Sequence, residues 1–126
     1  CRIHAYRPGI CRLFPLGRIY EDGGFKYFLQ VYECAKKIRT KVKVKKWIDM
    51  PEPKRYDEFV CTWHYFLKDL EQVIGKDTSG QAAKTVSLYL IKQFYLLPYN
   101  KEEEFYPQFD ERMTGAKRVL AGFLAM

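Results

Sequence analysis

The sequence predicts a mainly α fold, a compact bundle of about four helices behind an irregular or hairpin N-terminal arm, and three observations carry that expectation. Apolar residues recur at helical spacing along most of the chain. Turn-forming Pro and Gly crowd the first 24 positions. A length of 126 residues with 48% hydrophobic content suffices for the core of one domain without disulfides or metals. The expected organisation is a single domain over residues 1–126, with an N-terminal arm at 1–24 and a helical core at 25–126. An α+β arrangement with a small sheet inside residues 1–48 is the alternative.

In chain order, residues 1–21 carry Pro8, Gly9, Pro15 and Gly17 and read as extended or irregular, one short hairpin arm turning at Asp22, Gly23 and Gly24. Residues 25–48 obey two periods. As a helix from about Phe25 to Lys43, they place Phe28, Val31, Ala35, Ile38 and Val42 along a seam. As a strand, they set Ile38, Val42, Val44 and Ile48 against Arg39, Lys41, Lys43, Lys45 and Trp47. The helix accounts for more of the segment, while the β-branched run after Ile38 favours the strand.

The clearest element runs from about Asp57 to Ile74, where Phe59, Val60, Trp63, Phe66, Leu67, Leu70, Val73 and Ile74 repeat at helical intervals. Pro51 and Pro53 lie just outside its start, and Gly75 is its expected stop. Thr78 or Ser79 can cap a further helix, Gln81 to about Leu97, whose wide apolar stripe predicts burial on most sides. Pro98 ends it. An acidic, aromatic connector, Glu102 to Phe109, then leads into a last helix from about Asp110 to Leu124, expected to bury Met113, Val119, Leu120 and Phe123.

Charge is distributed unevenly. The chain carries +7 overall, but residues 1–55 hold a balance of +9 and residues 56–126 a balance of −2. The densest part is Lys36, Lys37, Arg39, Lys41, Lys43, Lys45 and Lys46, seven cations in eleven positions with no acid among them. A helix would align Arg39, Lys43 and Lys46 beside Lys36, and a strand would align the odd-numbered cations with Trp47. Either stripe suits phosphate, because each neutralised phosphate releases condensed counterions. Tyr27, Tyr32 or Trp47 can stack on unpaired bases if they face outward. The competing readings are a solvated face that keeps the protein dispersed, and an acidic partner, including this chain's own Glu102, Glu103 and Glu104.

Catalytic signatures do not accumulate. Asp57, Cys61, His64 and Lys68 share one helical stripe, yet a Cys and a His three apart on one helix rarely aim at a common substrate atom. Cys1, His4, Cys11 and Cys34 can offer zinc ligands, but only Cys1 and His4 form a close pair where structural sites show two. Gly75, Lys76 and Thr78 lack the leading glycine of a phosphate-binding loop, Leu70 standing in its place. Glu52, Pro53 and Lys54 imitate a nuclease triplet across prolines that a central strand excludes. The four cysteines read as reduced thiols in an intracellular protein, and no stretch is long enough for a bilayer.

The expectation is therefore a non-enzymatic domain that binds nucleic acid, RNA or single-stranded DNA. It contacts phosphates through Lys36, Lys37, Arg39, Lys41, Lys43, Lys45 and Lys46 and stacks a base on Trp47. No metal or cofactor is expected. The alternative is a structural or adaptor subunit, in a homo-oligomer or on a protein partner, using surplus aromatics and the C-terminal Leu120, Phe123, Leu124 and Met126.

Overall fold

The computed structural model describes residues 2–32 and 40–125. The chain divides into two compact units, Cys1–Cys61 and Thr62–Met126. It is mainly helical, with one two-stranded antiparallel sheet near its N-terminus.

The first unit opens with a 3-10 turn, His4–Tyr6, and the short helix α1, Gly9–Leu13. Strands β1 (Leu16–Glu21) and β2 (Gly24–Leu29) follow, in a register that sets Leu16 opposite Leu29 and Glu21 opposite Gly24. Asp22 and Gly23 join them with φ of 51° and 74°. Two consecutive left-handed residues make the tight turn whose twist matches paired strands, which is why an Asp-Gly step serves here. Gly17 is buried in β1 because the ring of its cross-strand partner Phe28 lies across the position a side chain would fill.

Helix α2, Val44–Ile48, ends on Asp49 in the left-handed region, and Glu52 adopts the same conformation just before helix α3, Pro53–Ile74. Pro53 is the first residue of α3 rather than a barrier to it, since proline lacks only an N–H that the first turn leaves unbonded anyway. Helices of five residues have no stability of their own. Packing holds them: Leu13 of α1, Ile48 of α2 and Tyr56 of α3 form the buried centre, with Leu16, Tyr27, Val44, Met50, Phe59 and Val60 around it. Arg18 ties the hairpin to α3. Its guanidinium lies 5.2, 5.6 and 5.4 Å from the ring centroids of Phe25, Tyr27 and Tyr56 and donates to the Tyr56 hydroxyl at 3.3 Å.

The helix expected from Phe25 to Lys43 is corrected. Residues 24–29 are a strand and residues 40–43 are irregular, while Ala35 and Ile38 of the proposed seam lie outside the described residues. The alternative strand reading, with Val44 and Ile48 on one face, is corrected too, because Val44–Ile48 is helical. The hairpin wins over the seam because Asp22 and Gly23 close a two-residue turn and bring Phe25 and Tyr27 onto Arg18.

In the second unit α3 continues to Ile74 and stops at Gly75, as expected. Helix α4, Gln81–Ile91, passes into a π-helical turn, Lys92–Leu96, closed by the Leu97 N–H donating to the Lys92 carbonyl at 3.0 Å. Helices α5 (Phe105–Val119) and α6 (Ala121–Leu124) are separated at Leu120. Trp63 packs its ring against Phe66, Phe94 and Phe109, 6.2, 4.8 and 6.1 Å between centroids. Leu70, Val86, Met113, Ala116 and Leu120 are buried.

Several expectations for this unit change. The last helix is not continuous to Leu124 but breaks at Leu120, and Phe123 is half-buried rather than buried. Helix α5 starts five residues before Asp110, because Gln108 donates to the carbonyls of Asn100, Glu103 and Glu104 and draws the connector into an ordered entry. Val119 is 62% exposed rather than buried. The run of α4 and its π-helical turn is not enclosed on most sides, since Leu88, Ile91 and Tyr95 are exposed while Val86, Leu90 and Phe94 are buried.

Candidate nucleic-acid interface

The basic run is visible from Lys41 onward; Lys36, Lys37 and Arg39 lie outside the described residues. Lys41 and Lys43 sit on the irregular approach to α2, and Lys45, Lys46 and Trp47 on α2 itself. Lys43 is the N-cap residue, and its carbonyl accepts the Trp47 N–H at 2.9 Å. Helical spacing therefore sets Lys43, Lys46 and Trp47 on one side of α2. Lys45 lines a separate concavity with Tyr27, Val44 and Asp57. The cations fan around one helical turn, in place of the straight stripe that a long helix or strand would have drawn.

Lys41, Lys43, Lys45 and Lys46 are all exposed, and among the described residues none is in an ion pair. Three cations elsewhere in the chain do have carboxylate partners: Lys68 pairs with Glu71 at 2.8 Å, Arg55 with Glu58 at 3.3 Å, and Lys26 with Glu21. Four like charges within six positions, left unpaired, repel one another and favour an anionic neighbour.

Trp47 is 46% exposed, and its indole N–H donates to the Phe14 carbonyl at 3.0 Å. Tyr32 is exposed as well. Tyr27 is not available for stacking, because its ring packs against Phe25 and its hydroxyl donates to Asp57 Oδ1 at 3.3 Å.

Trp47 also borders a cavity of about 460 Å³ in the first unit, whose lining combines apolar Ile3, Phe14 and Trp47 with polar His4, Arg7, Arg12 and Cys11. Arg12 donates to the carbonyls of Ile48 and Asp49, at 3.4 and 2.7 Å, tying α1 to the end of α2. Arg7 donates to His4 Nε2, and its own buried Nε has no acceptor. Charge counting alone includes Arg7 and Arg12 in the +9 balance. It gives no sign that they meet Trp47, because they fall in a segment without a period.

The stripe of Asp57, Cys61, His64 and Lys68 lies on α3 as expected. Burial, and then the Asp57 carboxylate, pushes the Cys61 thiol pKa up, with Arg18 pulling weakly the other way. That direction keeps the proton on sulfur, whereas a nucleophile needs the thiolate. Burial and Lys68 hold the His64 imidazole below its ordinary value. Of the four conceivable zinc ligands, Cys1 and Cys34 lie outside the described residues, and among the described residues no three His, Cys, Asp or Glu side chains are grouped to hold a metal. Among them, too, no helix is long and apolar enough to cross a membrane.

No family model, curated protein or solved structure matches the chain.

Proposed function

We propose that this chain is a non-enzymatic nucleic-acid-binding domain, or a subunit of a nucleoprotein assembly, that holds RNA or single-stranded DNA through Lys41, Lys43, Lys45 and Lys46. Lys36, Lys37 and Arg39 extend the same contact in sequence, and Trp47 supplies a stacking surface. The observation that carries the reading is the exposure of four lysines in six positions without a carboxylate partner among the described residues. The setting is intracellular, where such polyanions are found.

Four phosphates neutralised on a single strand give a log–log salt slope of about −3, so affinity falls about fiftyfold between about 50 and about 200 mM salt. Reversing Lys41, Lys43 and Lys45 to Glu removes about 2 from that slope. Anisotropy titrations of a labelled single strand across that salt range measure both quantities. Absent or salt-independent binding rejects the reading.

A second reading, an adaptor subunit, draws on one feature: Leu88 and Ile91 on α4 and Tyr95 on the π-helical turn that continues it are exposed at helical spacing. In that case replacing Leu88 and Ile91 by Ser dissolves a complex seen by light scattering, and an unchanged particle mass counts against it.

A further inference from the structure

We infer that the cavity beside Trp47 receives one unpaired nucleobase of a bound single strand together with its flanking phosphate, an inference that rests on the nucleic-acid reading above. Its lining joins two chemistries. Trp47 and Phe14, 46% and 47% exposed, contribute aromatic surface beside Ile3. Arg7 and Arg12 contribute guanidinium groups to the same cavity. Among the described residues no carboxylate lines it, so none of them balances the guanidinium charges within it.

Each competing ligand leaves part of that arrangement unused. An inorganic phosphate would engage the guanidinium groups and strand the aromatic wall in water. An uncharged apolar molecule would do the reverse. A nucleotide carries both a flat π face and an anion a few bonds apart, and base stacking on an aromatic side chain adds to phosphate contact without needing any one base. The volume of about 460 Å³ lies within the usual range for small-ligand cavities.

The walls are also fixed before any ligand arrives. Trp47 donates its indole N–H to Phe14, and Arg12 donates to the carbonyls of Ile48 and Asp49. Ordering these groups is then no cost of binding. Because the indole N–H is already engaged, Trp47 offers the base only its ring and reads no hydrogen-bonding edge, which makes the cavity tolerant of sequence. Arg7 keeps its charge to meet the phosphate, since its hydrogen bond goes to the His4 imidazole rather than to a carboxylate.

The test compares the whole chain binding two labelled strands of equal length and charge, one an ordinary single-stranded oligonucleotide and the other wholly abasic. The ordinary strand is expected to bind about 5- to 150-fold more tightly, the contribution of one stacked base. That gap collapses in Trp47→Leu and is largely kept in Trp47→Phe, while the salt slope from the lysines persists in both. Quenching of Trp47 emission on adding the ordinary strand, taken as the difference from Trp47→Phe, gives the same answer even if Trp47→Leu does not fold. Equal affinity for the two strands with an unchanged Trp47 signal overturns the cavity assignment and leaves the lysine contact standing. Binding of neither strand overturns both. An acidic peptide of matched charge that quenches Trp47 and displaces nothing else assigns the cavity to a protein partner and overturns it as well.

Discussion

The guanidinium of Arg112 lies 3.7 Å from the centre of the Tyr99 ring. From that position it donates to the carbonyls of Gln93, Leu97 and Pro98 at 2.7, 2.8 and 2.7 Å. These acceptors belong to the π-helical turn and its exit, where a helix end leaves carbonyls without internal partners. One planar fork on α5 thus closes the end of the α4 run.

Removing that fork has a readable cost. Arg112→Ala is expected to lower unfolding stability by about 2–3 kcal/mol, the scale of a hydrogen-bonded charge lost with its acceptors left to water. Arg112→Lys recovers less than half, since a single ammonium cannot reach three carbonyls with the same geometry. Urea unfolding of the three proteins decides it, and coincident curves for Arg112→Ala and the parent would reject the role.

Much of the fold is legible where one local rule acts alone. The run from Phe59 to Ile74 has a single period, and Gly75 stops it. The Asp22–Gly23 step fits only a turn. Failure comes at residues 25–32, where Phe28 and Val31 satisfy a helical period, but Arg18 on β1 stacks with Phe25 and Tyr27 across the hairpin and tertiary pairing overrides the local pattern. The early start of α5 escapes notice for a related reason: Gln108 reaches back to three carbonyls, a contact that no propensity encodes.

The candidate site was legible as charge and illegible as shape. Seven cations without an acid between Lys36 and Lys46 predict a basic segment from the sequence alone. The fan of Lys43, Lys45 and Lys46 around α2 depends on Lys43 being the N-cap residue, a boundary that the two competing periods leave open. Arg7, Arg12 and Trp47 line one cavity, and the Trp47 indole N–H donates to the Phe14 carbonyl from far along the sequence, a long-range pairing that no local pattern encodes.

Asp77 sets the entry to α4 and makes it sensitive to acid. Its Oδ1 accepts from the Ser79 N–H and hydroxyl at 2.9 and 2.6 Å, and its Oδ2 from the Ala82 N–H at 2.8 Å. The bond from the Ser79 side chain, followed by the backbone bonds, holds the carboxyl below its ordinary value. A depressed folded-state pKa means that the contribution is complete above the unfolded value, about 3.9, and is lost as pH falls below it toward the folded value. Asp77→Asn should therefore melt below the parent at about pH 7, with the gap narrowing as pH drops under about 4. Thermal melts across that range check this, and a gap that stays constant refutes it.

Cys61 and Cys11 should separate by reactivity. Burial and the Asp57 carboxylate raise the Cys61 pKa, while Cys11 is exposed on α1 at the edge of the Trp47 cavity. Alkylation proceeds through the thiolate, so a half-buried thiol with a raised pKa reacts slowly. In protein whose Cys1 and Cys34 are replaced by Ser, iodoacetamide at about pH 7.5 should label Cys11 at least about tenfold faster than Cys61. Labelled Cys11 should then weaken the ordinary strand more than the abasic one, because the added group occupies the base's place, whereas Cys61→Ala should leave both affinities unchanged. Peptide mapping of the labelled sites against time gives the order. Faster labelling of Cys61 would reveal an activated thiolate on α3 and reopen the case for catalysis there.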